Sequence, residues 1–180
     1  SLSDTHTHTH THTHTHTHKA NGYNAIRTSH NPVSRAFVAA CNKHGVMLME
    51  EAFDCWADGK NVDDYNLHFE AWWQRDVTSM VLRDRNAPAI IMWSIGNEIP
   101  MRKAPAGIAL SRTISDFIRA LDPSVDGTKR AVTSAYPGVG EDKATDDYMA
   151  PLDVAGYNYS VSTKPTFLLV DARSPDYRKP

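Results

Sequence analysis

One pattern, repeated along the chain, limits the folds open to it: a short apolar run that ends in polar residues and gives way to an amphipathic helical stretch. Tyr23 to His30 closes on Arg27 and His30. Val46 to Met49 closes on Glu50, Glu51 and Asp54, and Ala89 to Ile95 on Gly96, Asn97 and Glu98. Ala131 to Ala135 and Leu152 to Gly156 follow, the last ending at Tyr157-Asn158-Tyr159. None of these runs alternates polar with apolar residues, as expected of strands buried on both faces of a parallel sheet. Between them, Ser34 is placed to cap a helix whose face holds Val33, Phe37, Ala40, Cys41 and His44, with Gly45 ending it. Gly22 closes an earlier helix through Lys19 and Ala20. A longer helix carries Tyr65, Phe69, Trp72, Trp73, Met80 and Val81, and both tryptophans are expected to pack against the sheet. Arg83-Asp84-Arg85-Asn86 reads as its solvated end. A further helix places Ile108, Ile114, Phe117, Ile118 and Leu121 inward and stops at Pro123. The class is α/β. Polar groups gathered at successive strand ends point to a parallel barrel. An open doubly wound sheet is the alternative, weakened because no glycine-rich phosphate loop follows any strand.

The first 18 residues follow another rule. Thr and His alternate from Thr5 to His18, and the tract holds seven of the ten histidines. Its period of two offers no apolar face to bury, so residues 1–18 are expected to be low-complexity and disordered, with the folded domain over 19–180. A metal-binding role for the tract is the functional alternative, since neutral imidazole takes Zn, Ni and Cu, but a selected site needs defined geometry. The net charge of -2 suggests neither nucleic acid nor an anionic membrane as partner. No apolar run approaches the roughly 20 residues that cross a bilayer, and localisation stays open. Cys41 and Cys55 are too few for a disulfide framework and are read as free thiols.

The strand ends carry the chemistry. Cleaving a glycosidic bond requires a proton for the leaving oxygen and stabilisation of an oxocarbenium-like transition state. Glu98 follows the most apolar strand, where burial would disfavour its charged form and suit it to donate a proton. On bare sequence, a strand-to-helix cap is an equal reading of the Asn97-Glu98 pair. Asn97 could hold a sugar hydroxyl, Arg27 could pair with a carboxylate inside the sheet, His30 could donate to a sugar, and Asp54 could accept from sugar hydroxyls. Glu50 and Glu51 are adjacent on a strand, so at most one faces the interior.

Four segments resemble glycoside hydrolase family 2, the β-galactosidases, β-glucuronidases and β-mannosidases. Asn24-Ala25-Ile26-Arg27-Thr28-Ser29-His30-Asn31-Pro32 is similar to its second barrel strand, and Glu50-Glu51-Ala52-Phe53-Asp54-Cys55-Trp56 to its third strand end. Arg83 to Pro88 with Ile90 to Glu98 resembles its acid/base signature, and Asp153 to Tyr159 its sixth strand. The segments lie in register across residues 19–160. The resemblance implies a partial (β/α)8 TIM barrel, roughly strands two to six with their helices. It implies that Glu98 is the acid/base of a retaining mechanism, that Asn97 contacts the sugar, and that Arg27, His30 and Tyr159 line the pocket. The 51–56 segment is closest to the β-galactosidase-like branch. Cys55 and Ala57 stand where that branch's large members place magnesium ligands, so no metal is expected, and no cofactor is implied. The family's nucleophile is a second Glu on the seventh strand. Glu occurs here at 50, 51, 70, 98 and 141, so this nucleophile is expected to lie beyond the chain. The chain is therefore expected to be an inactive fragment of a carbohydrate-cleaving enzyme, prone to self-association through open barrel edges. A non-catalytic remnant that binds sugar weakly and a metal-binding His tract are the alternatives.

Overall fold

The structure is a computed structural model and describes residues 15–123, 128–138, 143–159 and 168–171. Six strands form one sheet in sequence order: β1 (Ala25–Arg27), β2 (Met47–Glu51), β3 (Ile90–Asn97), β4 (Ala131–Pro137), β5 (Val154–Asn158) and β6 (Leu168–Asp171). β1 to β5 are parallel, with Arg27 beside Met49, Glu51 beside Ser94, Ser94 beside Thr133 and Ala135 beside Gly156. Helices α1 (Arg35–His44), α2 (Asn66–Asp84), α3 (Pro105–Leu121) and α4 (Lys143–Met149) connect them, with a 3₁₀ turn at Pro100–Lys103 before α3. Five parallel strands in order, curled with their helices on one side, make a partial (β/α) barrel, as expected. β6 was not anticipated. It pairs antiparallel with β5, Gly156 facing Leu169, and so occupies the backbone hydrogen-bonding groups on that edge.

Local chemistry sets the element ends. Ser34 Oγ accepts the Phe37 N–H at 3.2 Å, and Gly45 ends α1 at φ 64°, a left-handed position that favours glycine. The core is continuous between the outer sheet face and the helices, with Leu48, Trp56, Phe69, Val77, Trp93, Ile95, Ile114 and Ile118 all buried. Trp56 donates its ring N–H to the Ile95 carbonyl at 3.0 Å, which ties the loop after β2 to β3.

Three features differ from expectation. Trp73 packs between helices, against Phe69 and Phe117, but Trp72 points outward with Arg75 over its ring. The end of α2 is not a solvated helix end: Asp84 is buried and Arg83 reaches the buried Glu50, because these two fall on the side of α2 that packs on the sheet. Residues 15–20 are helical, so the last four residues of the Thr-His tract, expected to be disordered, belong to the helix that ends through Lys19 and Ala20. The rest of the tract, and with it most of the disorder and metal-binding expectation, lies outside the described residues.

Candidate functional site

The C-terminal ends of β1, β2, β3 and β5 bring the predicted residues together. Their hub is Glu51, which side-chain alternation turns to the inner sheet face and which is fully buried. Arg27, from the end of β1, donates to its carboxylate through Nε and Nη2 at 2.8–3.1 Å. His30 Nδ1 lies 2.6 Å from Oε1, and Ser94 Oγ, its neighbour on β3, donates to Oε2 at 2.6 Å. The Glu51 N–H also donates to Thr28 Oγ1 at 2.8 Å, so the segment leaving β1 is tied to β2 by backbone and side chain. With Nδ1 directed at Glu51, His30 has its other ring nitrogen, Nε2, to offer to a second partner.

A second set of bonds fixes Asn97. Its Oδ1 accepts from Arg27 Nη2 at 2.9 Å and from Asn158 Nδ2 at 3.0 Å. Its Nδ2 donates to Asp54 Oδ1 at 3.1 Å. Donors on one side and an acceptor on the other leave one orientation of the amide. Asp54 is held in turn by Lys60 Nζ at 2.6 Å, and Lys60 also donates to the Asn97 carbonyl at 2.8 Å. Burial opposes charge on Asp54, but hydrogen bonds from Lys60 and Asn97 outweigh it and keep the carboxyl below its ordinary range.

Glu98 is half-buried, so it sits at the mouth of the strand ends and not on a closed apolar floor. Its Oε1 accepts from Asn158 Nδ2 at 2.6 Å. Its backbone N–H donates to the Ala135 carbonyl at 2.7 Å, and its φ is 46°. Tyr159, 67% exposed, has φ 59°. A hydrogen bond with Glu98, reinforced by that carboxylate's charge, raises the tyrosine's pKa. Non-glycine residues held in the left-handed region cluster at working sites, and here two of them meet through their side chains. Gly96 makes this turn feasible, because a Cβ there would lie 2.5 Å from Ile99 Cδ1.

All six predicted residues thus fall in one network, although Asp54 is engaged in orienting Asn97. Sequence reasoning missed Asn158, Lys60 and Ser94, and left the choice between Glu50 and Glu51 open. The rule that flagged the other strand ends applies to Asn158, the last residue of β5. A cavity of about 670 Å³ among Arg85, Asp122, Lys129 and Arg130 shares no residue with this network.

Comparison with known proteins decides the family. The sequence model of the TIM barrel domain of the glycosyl hydrolases family 2 matches residues 9–160. The chain belongs to glycosyl hydrolase family 2. This family-2 chain is 31% identical to a β-galactosidase of Bacteroides ovatus over 88% of its own length, and 35% identical to a β-glucuronidase of Pongo abelii over 57%. It spans 21% and 15% of those two proteins. A solved family-2 structure from Bacteroides cellulosilyticus superimposes with a TM-score of 0.72 at 45% identity, covering 78% of this chain and 17% of that one.

Proposed function

We propose that this family-2 chain carries the acid/base half of a retaining β-glycosidase, with Glu98 as proton donor and β-galactosides as the favoured substrates. The observation that carries the reading is the network at the strand ends, in which a half-buried Glu98 stands beside an orientation-locked Asn97. In this mechanism Glu98 protonates the glycosidic oxygen as the bond breaks, then takes a proton from the water that releases the sugar. The second N–H of Asn97 is directed to a sugar hydroxyl near the reacting carbon. Arg27 and His30, braced on Glu51, line the pocket wall, with His30 Nε2 left to bond a sugar hydroxyl. Tyr159 holds Glu98 from the solvent side.

A retaining mechanism also requires a nucleophilic carboxylate about 5–5.5 Å from the acid. Among the described strand-end residues, Glu51 is bound by Arg27 and His30, and Asp54 by Lys60. Neither is therefore placed as the nucleophile, and the 180-residue chain is expected to be inactive by itself and to associate through the open edge of β1. The galactoside preference rests on the Bacteroides ovatus relative, and the glucuronidase relative makes β-glucuronides the competing substrates.

The test is a chimera in which residues 19–159 replace the matching segment of the Bacteroides ovatus protein. Nitrophenyl β-galactoside should be cleaved, and Glu98→Gln should slow glycosides with poor leaving groups by about 10²–10⁴, the usual worth of a general acid, with a smaller effect on activated leaving groups. Equal rates in Glu98→Gln for all leaving groups would remove Glu98 from the role. Binding of galactose without turnover would favour a sugar-binding remnant. Turnover of nitrophenyl β-galactoside by the 180-residue chain itself would overturn the inactive-fragment part.

A further inference from the structure

On the opposite face of β2, one residue from the hub, lies a second charged cluster that this chemistry does not use. Glu50 is fully buried, and Asp84, from the end of α2, is 3% exposed. Arg83 joins them: its Nη2 donates to Glu50 Oε1 at 3.0 Å and its Nε to Asp84 Oδ2 at 2.7 Å. The same Nη2 donates to the Val33 carbonyl at 2.7 Å, and the Val33 N–H donates to Glu50 Oε1 at 3.3 Å. Both backbone groups of Val33 are thereby clamped. Val33 ends the segment that leaves β1, and three residues earlier that segment carries His30, bonded to Glu51. Consecutive residues of β2 thus hold one loop from two sides, Glu51 at His30 and Glu50 at Val33.

The charges do not balance. Two buried carboxylates face one guanidinium, and Glu50 Oε2 is buried without a hydrogen-bond partner. Among the described residues the charges that act on Glu50 are those of Asp84 and Arg83, while the loop after β1 presents the Val33 backbone and Glu50's partner on β3 is Trp93. Burial first, then the charge of Asp84, push the Glu50 carboxyl up to about 8, while Arg83 and the Val33 N–H pull it down without prevailing. A proton on Oε2 supplies the donor that two facing carboxylates lack.

We propose that Arg83, Glu50 and Asp84 form a proton-sharing latch that positions the loop from Thr28 to Val33, and through it His30, at the strand ends. The latch acts through the backbone, so these are positioning residues. Its relevance to catalysis rests on the reading of His30 as a pocket residue, but its existence does not. The sign of its pH dependence follows from proton counting. Between the ordinary carboxylate value of 4.5 and about 8, the folded chain keeps a proton that the unfolded chain has lost. Stability from this group is therefore complete below that window, falls through it as pH rises, and is level above it.

The test uses the 180-residue chain and no glycoside, so its outcome is separate from that of the glycosidase reading. Amide exchange protection of residues 28–33 and denaturant unfolding are measured from pH 5 to 9. Glu50→Gln keeps the acceptor and replaces the proton with a permanent N–H donor. It should match the wild type near pH 5 and exceed it in stability at pH 9, with a flatter profile. Arg83→Met should cut protection of residues 28–33 about tenfold or more, as expected for loss of a charge-assisted bond, and Arg83→Lys should restore part of it. Should Arg83→Met fail to fold, Asp84→Asn serves instead. It removes the negative neighbour that raises the Glu50 carboxyl, so the transition in loop protection and stability should move to lower pH. An unchanged pH profile in both Glu50→Gln and Asp84→Asn, or undiminished loop protection in Arg83→Met, overturns the latch.

Discussion

Glu51→Gln tests whether the strand-end network is held by charge or merely filled by shape, since it exchanges one oxygen for an amide nitrogen and leaves volume and packing intact. The carboxylate is fully buried and accepts from Arg27, His30 and Ser94. Because donors flank both oxygens, either orientation of the substituted amide sets an N–H against another donor. Removing one member of a buried ion pair costs about 3–5 kcal/mol. Arg27 keeps 18% of its side chain in solvent and retains its bond to Asn97 Oδ1, which places the cost near the lower bound, about 3 kcal/mol. For a chain of this size that is a fall in Tm of roughly 6–12 °C. Thermal and urea unfolding read it directly. Asp116→Asn, which breaks the exposed pair with Arg119, is the control and should stay within about 0.5 kcal/mol. In a double-mutant cycle, Arg27→Met and Glu51→Gln should couple by about 1–3 kcal/mol, because each removes the other's partner. A loss in Glu51→Gln no larger than the control's, or additive losses in the cycle, would refute a charge-held network.

Two further substitutions probe how the site is carried. Gly96→Ala should destabilise by about 1–3 kcal/mol, as overpacking does, since its Cβ meets Ile99 at 2.5 Å in a core that also holds Trp56; a urea midpoint equal to wild type would show that Ile99 yields freely. Ser34→Ala removes the cap of α1 and should cost about 1 kcal/mol without disturbing the strand-end network, to be checked by thermal unfolding followed by circular dichroism.

What the sequence disclosed, it disclosed through local rules. Strands buried on both faces read as unbroken apolar runs, so β2, β3, β4 and β5 were legible, as were the cap at Ser34 and the stop at Gly45. The strand-end rule then placed Arg27, His30, Asn97 and Glu98 near one another, and the family resemblance added Tyr159. Hidden features were those that depend on parity or on distant partners. Nothing local says which of Glu50 and Glu51 faces inward; the pairing of Glu51 with Ser94 settles it. Arg83-Asp84 looks like any charged helix end until α2 is laid on the sheet with Glu50 beneath it. Lys60 lies in a polar loop whose composition gives no sign that its ammonium would reach Asp54. Trp72 and Trp73 are adjacent, so a helix cannot bury both equally, and only the packing of α3 shows that Trp73 is the inward one.

Adjacent acids at the end of β2 look redundant in sequence and are opposite in use. Alternation sends Glu51 to the inner face, where two nitrogen-bearing side chains and a hydroxyl meet it, and Glu50 to the outer face, where one guanidinium must serve two carboxylates. The inner acid is satisfied by donors and fixes Arg27, which in turn fixes the carbonyl side of the Asn97 amide. The outer acid accepts from Arg83 and the Val33 N–H through Oε1, but its Oε2 has no donor until a proton is added. The orientation of Asn97 is therefore secured by charge that is balanced, while in the proposed latch the position of His30 depends also on charge that is not. A change of pH should accordingly loosen the His30 loop before it disturbs the Asn97 amide, and loss of protection at residues 28–33 should precede any change in the Asn97 side-chain amide resonances as pH rises toward 9. Simultaneous loss of both would mean that the two faces of β2 respond as one unit and that the distinction between them has no energetic content.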